Sequence, residues 1–150
     1  MRCTLIFLLL SGCAVALRGT VTNDEGQTSL AETSGDVHTL RLRSTAQLLR
    51  FMEGELVDLE GSKSMGRVTV RNFRVLESSA GLPVWLGLLQ ERRGELGLVD
   101  YMSGGWFSLE RDVFEEMAPF VGAPVLVEGY VEGAHTLRVV HYRVLVDGES

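Results

Sequence analysis

The stretch PVLVEGYVEGAHTLRVVHYRVLV, residues 124–146, predicts a β-hairpin and is the clearest structural signal in the chain. Val125, Val127 and Val131 share one face of the first strand, as expected where side chains alternate across a strand. Residues 133–135, Gly-Ala-His, form the predicted turn, and residues 136–146 return as the second strand. The C-terminal part of the chain is therefore expected to be β-structure.

Further strands are predicted upstream of this hairpin. Residues 48–60 and 67–77 are rich in apolar side chains and predict two long strands joined by a turn at residues 61–64. Gly54 indicates a bulge or bend in the first of them. The alternation of residues 67–77 slips by one position near Arg71, which indicates a second bulge.

A second hairpin and one helix are predicted between these strands and the last two. Residues 84–90 and 95–101 form the hairpin, with Gly94 in its turn. Ser108 is expected to cap the helix, because a serine hydroxyl accepts a hydrogen bond from a free N–H of the first turn. Pro119 is expected to end it. The apolar residues that recur at helical spacing are Leu109, Val113, Phe114 and Met117.

If the second hairpin is counted as one extended third strand, the order is five strands with one helix between the third and the fourth, which resembles the OB-fold. The second arm of that hairpin is one strand more than the plain OB-fold order. The resemblance covers about residues 48–146 and rests on the order of elements rather than on a motif. It implies a mainly β protein with an OB-fold-like five-stranded small barrel. Another small β-barrel or an α+β sandwich is the alternative. Residues 37–43 predict an additional edge strand, and residues 44–49 a short helical turn.

The first 13 residues carry a separate signal. Arg2 precedes the apolar run of residues 5–10, and residues 10–13 read Leu-Ser-Gly-Cys. A basic start, a short apolar core and small residues at a cut site are typical of a secretory signal peptide. The apolar run is too short to span a bilayer, which needs about 20 residues.

Residues 10–13 resemble the lipobox of bacterial lipoproteins, in which the cysteine is acylated and becomes the new N-terminus. The resemblance implies cleavage after residue 12, lipidation of Cys13 and attachment to the membrane of a bacterial cell envelope through this lipid. Ala14 stands where an aspartate retains many lipoproteins in the inner membrane, so the outer membrane is the implied location. The alternative is an ordinary signal peptide followed by a chance cysteine.

The region after Cys13 is predicted to be a flexible tether as far as residue 36. It is rich in serine, threonine, glycine and acidic residues without a clear period, which is typical of segments that do not form a core. The predicted organisation is a signal peptide at residues 1–12, a lipidated tether at residues 13–36 and one β-barrel domain at residues 37–150. No internal repeat is predicted.

Charge and cysteine content exclude several classes of function. The net charge of −6 argues against non-specific binding to nucleic acid or to anionic lipid, because both need a positive surface. Cys3 lies in the predicted signal peptide and Cys13 is the predicted lipid site. The mature chain is then expected to have no thiol for catalysis or metal binding.

The sequence contains no phosphate-binding loop, no Gly-x-Ser-x-Gly motif and no zinc signature. His38, His135 and His141 are predicted to be surface residues rather than metal ligands. The chain is therefore predicted not to be an enzyme, and to use no cofactor and no metal.

A binding face is predicted from the OB-fold resemblance, because OB-folds bind single strands or sugars on their second and third strands and the adjoining loops. Arginine and aromatic side chains suit the stacking of bases or sugars. The alternative is that the arginines pair with nearby acids, and that Phe73 and Trp85 belong to the core. The candidate residues are Arg67, Arg71, Arg74, Tyr101 and Trp106.

Two functions follow from these observations. The first is a non-enzymatic accessory or scaffold lipoprotein in an envelope assembly for secretion, motility, adhesion or surface display, with envelope proteins as partners. The second is a module that binds a glycan or nucleic acid through the OB-type face. An edge strand at residues 37–43 would also allow a partner strand to pair with the sheet.

Overall fold

The computed structural model describes residues 12–146, apart from the side chain of Thr45, and this part of the chain is mainly β-structure. Its strands form two five-stranded sheets that follow one another along the sequence. The first sheet contains β1 (Cys13–Asp24), β2 (Gln27–Ala31), β3 (Val37–Leu42), β4 (Leu56–Ser64) and β5 (Arg67–Glu77). The second contains β6 (Val84–Arg92), β7 (Glu95–Asp100), β8 (Trp106–Leu109), β9 (Pro124–Glu132) and β10 (Thr136–Val144).

Each sheet closes on itself. In the first, β1 pairs with β2, β2 with β3, β3 with β5 in parallel, β5 with β4, and β4 again with β1. The second sheet repeats this order as β6, β7, β8, β10 and β9, with β8 and β10 parallel. Closure leaves no long open edge in either sheet.

Strand β1 makes two sets of hydrogen-bonded pairs. Its first part pairs with β4, from Cys13 opposite Lys63 to Thr20 opposite Leu56. Its last part pairs with β2. Gly19 lies where β1 changes partner, and a Cβ atom there would stand 2.4 Å from the carbonyl oxygen of Ala31. Only glycine allows this close approach.

Helical segments occupy the same place in both halves. The 3-10 helix Ser44–Phe51 connects β3 to β4, and α1 (Phe114–Met117), flanked by 3-10 turns, lies between β8 and β9. The buried apolar side chains form two clusters, called here the first core, inside the first sheet, and the second core, inside the second sheet. Leu49 is fully buried in the first core and Met117 in the second. Each closed sheet is thus filled in part by an apolar side chain from its own helical segment.

The sequence carries a repeat that matches the two sheets, and the prediction of no repeat is wrong. Residues 59–61, Leu-Glu-Gly in β4, correspond to residues 127–129, Val-Glu-Gly in β9. Residues 73–76, Phe-Arg-Val-Leu, correspond to residues 142–145, Tyr-Arg-Val-Leu. Both pairs of strands contain a register shift near these matches. The matches are short, and loops of different composition separate them, so the repeat is inconspicuous in the sequence.

The two sheets share apolar contacts at their junction. Leu126 and Leu145, from the second half of the chain, are buried in the first core. Val84 and Leu86 of β6 also pack against that core. The link between the halves is short and ordered by Ser78, whose hydroxyl accepts hydrogen bonds from two backbone N–H groups of the same loop. The halves are therefore packed against each other rather than joined by a loose linker.

An ion pair crosses the same junction. Arg143 Nη2 of β10 donates to Glu55 Oε1, just before β4, over 2.7 Å, and Glu55 is only 2% exposed. Burial raises the pKa of the Glu55 carboxyl above its ordinary value, and the negative charge of Glu128 acts in the same direction. The Arg143 guanidinium partly offsets this rise. The Arg143 side chain is 41% exposed, so only the glutamate of this pair is buried.

Several predicted elements are confirmed. The strand at residues 67–77 and both hairpins are present, and Gly94 has the expected positive φ of 79° in its turn. The predicted bulge at Arg71 is also present, because β4 and β5 pair Glu60 with Asn72 and Gly61 with Val70, which leaves Arg71 as the extra residue. A short helical segment covers residues 44–49, as predicted.

The predicted flexible tether at residues 13–36 is wrong, because this region forms β1, β2 and the loop leading to β3. Val21 and Leu30 are fully buried, and Val15 and Leu17 pack against the first core. Threonine and serine occupy many of the alternate positions, so the composition resembles that of a linker although the period is that of a strand. The predicted single domain at residues 37–150 accordingly contains part of one sheet and all of another.

Other boundaries also differ from the predictions. Residues 37–42 form β3, but β3 pairs with β2 and β5 and is not an edge strand, so it offers no free edge to a partner strand. The predicted strand at residues 48–60 begins only at Leu56, since Gly54 lies in a turn with a φ of 83°. The turn predicted at residues 61–64 lies instead at Met65 and Gly66.

The predicted helix is much shorter than expected. Ser108 lies in β8 opposite Gly97 and caps no helix, and α1 itself spans only Phe114–Met117. Leu109 ends β8, and a 3-10 turn at Arg111–Val113 and α1 follow it. The apolar residues of this segment recur at helical spacing because short helical turns follow one another, although no long helix forms. The lipobox residues Leu10 and Ser11 lie outside the described residues.

Replacing Glu55 with glutamine is expected to change how stability depends on pH. The folded-state pKa of Glu55 is raised, so the unfolded chain loses this proton at a lower pH than the folded chain. The stability that the protonated carboxyl contributes is complete below the unfolded pKa and is lost as the pH rises through the folded pKa. As the pH rises from acidic to neutral, the unsubstituted protein should therefore lose this contribution, whereas Glu55→Gln should not. The free energy of unfolding of Glu55→Gln minus that of the unsubstituted protein, both measured in urea, should increase with pH.

Glu53→Gln serves as the control, because it removes the same charge at an exposed neighbouring position. A difference between Glu55→Gln and the unsubstituted protein that stays constant with pH, or moves in the opposite direction, would show that burial of Glu55 does not govern its ionisation.

Candidate functional site

A cavity of about 370 Å³ lies at the junction of the two sheets and is called here the junction cavity. The first sheet contributes Phe73 and Arg74 from β5. The second half contributes Leu86 from β6 and, from the loop after β7, Tyr101 and Met102. The cavity thus depends on how the two halves pack together and belongs to neither sheet alone.

The loop that carries Tyr101 and Met102 is held by Asp100. Asp100 is 6% exposed, and its carboxylate accepts hydrogen bonds from the backbone N–H and the hydroxyl of Ser103, over 2.8 and 2.6 Å. The backbone N–H of Tyr101 donates to the carbonyl oxygen of Leu86. These bonds fix the loop against β6, so its side chains are presented from a defined backbone.

Tyr101 and Met102 remain about half exposed, at 49% and 55%. Partial burial raises the pKa of the Tyr101 phenol above its ordinary value. The hydroxyl therefore stays protonated at neutral pH and can both donate and accept a hydrogen bond. Together the two side chains offer an aromatic ring, a flexible thioether and one polar group at the mouth of the cavity.

Arg74 lines the same cavity but has an acidic partner. Its Nη2 lies 3.5 Å from Asp58 Oδ2, and Arg18 binds the same carboxylate through two hydrogen bonds of 2.6 and 2.9 Å. The Arg18 hydrogen bonds hold the pKa of Asp58 below its ordinary value. Arg74 is 54% exposed, so part of its guanidinium faces solvent at the cavity.

The other candidate arginines lie elsewhere on the first sheet. Arg67 is exposed at the start of β5, opposite Thr39 of β3. Arg71 donates to the carbonyl oxygen of Gly61 over 3.3 Å and lines a separate hollow beside the first part of β1. The structure therefore brings Arg74 and Tyr101 together and places Arg67 and Arg71 at other positions.

Trp106 lies on the second sheet, away from the junction cavity. The Arg92 guanidinium stacks on its ring, 4.4 Å from the centroid. The indole also covers Gly97, where a Cβ atom would stand 2.2 Å from the ring. Trp106 is thus already stacked on a side chain of its own sheet and is not a free aromatic platform.

The remaining aromatic candidates are structural. Trp85 and Phe107 pack with ring centroids 4.8 Å apart beside the second core. Phe73 packs against the first core while lining the junction cavity. Of the residues that form the cavity mouth, sequence reasoning missed Met102. Its exposure follows from the loop geometry that Asp100 fixes, and no local sequence pattern signals it.

A larger hollow of about 570 Å³ lies on the second sheet and is acidic. Its lining includes Glu95, Glu110 and Glu115 with one basic residue, Arg111. Glu110 is also close to Arg138, at 3.9 Å. An acidic hollow of this kind does not suit a phosphate backbone.

The histidines and the cysteine occupy separate places. His135 and His141 are exposed, whereas His38 is half-buried and pairs with Glu32, so its predicted surface position is wrong. Cys13 is exposed and forms no disulfide. Within residues 12–146, no group of three histidine, cysteine or acidic residues is placed to hold a metal ion.

Comparison with protein-family models and with curated proteins gives no match to this chain. Among the helices of residues 12–146, none is long and apolar enough to cross a bilayer.

Proposed function

We propose that this protein is a lipid-anchored lipoprotein of a bacterial cell envelope and acts there as a non-enzymatic accessory or scaffold component of an envelope assembly. The observation that carries this proposal is the position of Cys13. It is exposed at the first residue of β1, directly after the small residue Gly12. Acyl chains on Cys13 would therefore extend away from the folded core. Ala14 after Cys13 favours the outer membrane.

We also propose that both closed sheets are OB-fold barrels. Each contains five strands in the same order of pairing, with a parallel pair formed by its third and fifth strands. Each carries a helical segment between its third and fourth strands. These features suit the five-stranded Greek-key barrel of the OB-fold. The predicted hairpin of residues 84–90 and 95–101 then forms β6 and β7, the first two strands of the second barrel.

The junction cavity is the proposed contact site for a protein partner. Aromatic residues and methionine are enriched at interfaces, and interface hot spots gather around a few well-held side chains. Tyr101 and Met102 meet this description, because Asp100 fixes their loop and half of each side chain remains exposed. The cavity beside them has room for an apolar side chain of an envelope protein, and Arg74 supplies a positive rim.

The second candidate is a module that binds a glycan. Trp106 favours it, because an exposed hollow lies beside this ring and sugars stack on indole faces. Arg92 already covers part of the ring, and a second hollow of the same sheet, of about 570 Å³, is acidic. The scaffold proposal is preferred because Tyr101 and Met102, at the mouth of the junction cavity, remain about half exposed, at 49% and 55%. The acidic net charge weighs against nucleic acid in both proposals.

Cys13→Ser is expected to abolish acylation, because serine lacks the thiol that receives the lipid. Metabolic labelling with a fatty-acid analogue and membrane sedimentation of the full chain in a Gram-negative host measure this directly. Cys3→Ser is the matched control, since it makes the same change inside the predicted signal peptide and should leave both readouts intact. A Cys13→Ser variant that is still labelled and still sediments with membranes would overturn the anchor.

A photoreactive phenylalanine at position 101 is expected to crosslink the full chain to a discrete envelope protein in intact cells. Tyr130 of β9 provides the matched control, because it is also a tyrosine and is 48% exposed, against 49% for Tyr101. Position 130 lies outside the junction cavity and should give no such adduct. The same adducts at both positions, or none at position 101, would contradict the proposed contact site.

A further inference from the structure

We propose that the end of the first sheet that carries Cys13 rests on the membrane surface, with Met65 entering the lipid headgroup region. This inference rests on the proposed anchor at Cys13 and deepens it, because it names the surface that the anchored protein presents to lipid. The ligand is a phospholipid bilayer surface.

The lipid site has no spacer between it and the folded protein. Cys13 is the first residue of β1 and lies opposite Lys63 of β4. The pairing of β1 with β4 continues from Cys13 to Thr20 without a register shift. Acyl chains on Cys13 would therefore hold this end of the sheet directly at the bilayer, whereas a flexible tether would let the domain move away.

Met65 lies at the same end. It is two residues beyond Lys63, in the turn that connects β4 to β5. Two strand residues span roughly 7 Å, so the Met65 backbone is close to the lipid site. Met65 is 93% exposed, the highest value among the exposed large apolar side chains of the described residues. A fully exposed methionine gains no packing from its own protein, and its flexible thioether adapts to irregular apolar surroundings.

Val37 adds a second apolar side chain at this end. It is 65% exposed, the next highest value in the same set. It begins β3, which runs parallel to β5 with Thr39 opposite Arg67. Because β3 and β5 are parallel and their pairing begins at Thr39 and Arg67, Val37 lies toward the side from which the Met65 turn enters β5. The two most exposed large apolar side chains of the described residues thus both lie at the end of the sheet that begins with Cys13.

The charges around the turn suit a headgroup layer. Lys63 and Arg67 flank Met65 and are both exposed. Long basic side chains can place their charge at the phosphates while their stems remain in the interface. The nearby acids in the loop before β3 have partners of their own, since Glu32 pairs with His38 and Asp36 with Ser34. The anchor and the apolar side chains, rather than net charge, therefore carry the contact.

Met65→Trp provides the probe and Met102→Trp its matched control. Both methionines are exposed residues in turns, but Met102 lies at the junction cavity rather than at the Cys13 end. The full chain is produced in a Gram-negative host, purified in detergent and reconstituted into vesicles of phosphatidylethanolamine and phosphatidylglycerol. Tryptophan emission is then quenched by phospholipids brominated on the upper acyl chain. The unsubstituted protein gives the background from Trp85 and Trp106.

Met65→Trp should show emission shifted to shorter wavelength and at least about twofold more quenching than Met102→Trp, because interfacial side chains enter about 5–10 Å into the headgroup and acyl boundary. Protein that sediments with the vesicles while Met65→Trp is quenched no more than Met102→Trp would overturn this inference and leave the anchor intact. Protein that does not sediment with the vesicles would overturn the anchor, and this inference with it.

Discussion

The closure of the first sheet depends on β1, which hydrogen-bonds to β4 along its first part and to β2 along its last part. Without β1, the edges of β2 and β4 would be open and the core around Val21 and Leu59 would lose one wall. Gly19 makes the change of partner possible, since no side chain fits against the carbonyl oxygen of Ala31. The second sheet uses the same device at Gly87, where a Cβ atom would stand 2.3 Å from the carbonyl oxygen of Val99.

The packing of the two sheets on each other extends this constraint to the whole chain. Leu126 and Leu145 complete the first core from the second half, and the pair of Glu55 and Arg143 crosses the same junction. Arg143 holds the position of Glu55, because the Glu55 carboxylate is 2% exposed and would be costly to leave without a partner, whereas the Arg143 side chain is 41% exposed. The shape of the junction cavity depends on this packing, because residues of both halves line it. In the proposed lipoprotein, an anchor joined directly to β1 would hold that cavity at a set height above the membrane.

Strands with clear alternation could be predicted from the sequence, and elements whose alternate positions are small or polar could not. The hairpin around Gly133 and the strand with its bulge at Arg71 were both evident from apolar periodicity. The composition of the β1 and β2 region, rich in threonine and serine, wrongly predicts a tether, although Val21 and Leu30 are fully buried. In this region composition predicts a linker and the alternation of side chains predicts a strand, and the structure agrees with the alternation.

The candidate site was less predictable from the sequence than the fold. Arg74 and Tyr101 meet only because the halves pack together, and the exposure of Met65 and Met102 depends on turns that no apolar pattern marks.

Hydrogen–deuterium exchange of the backbone amides of β1 tests most directly whether the chain is ordered from Cys13 onward. In the full chain, the amides of β1 that bond to β4 and β2 should exchange as slowly as those of β9, because exchange requires the first closed sheet to open. The exposed turn at Met65 and Gly66 provides an internal reference for fast exchange. Exchange throughout residues 13–24 as fast as in that turn would contradict the closed first sheet and restore the flexible tether.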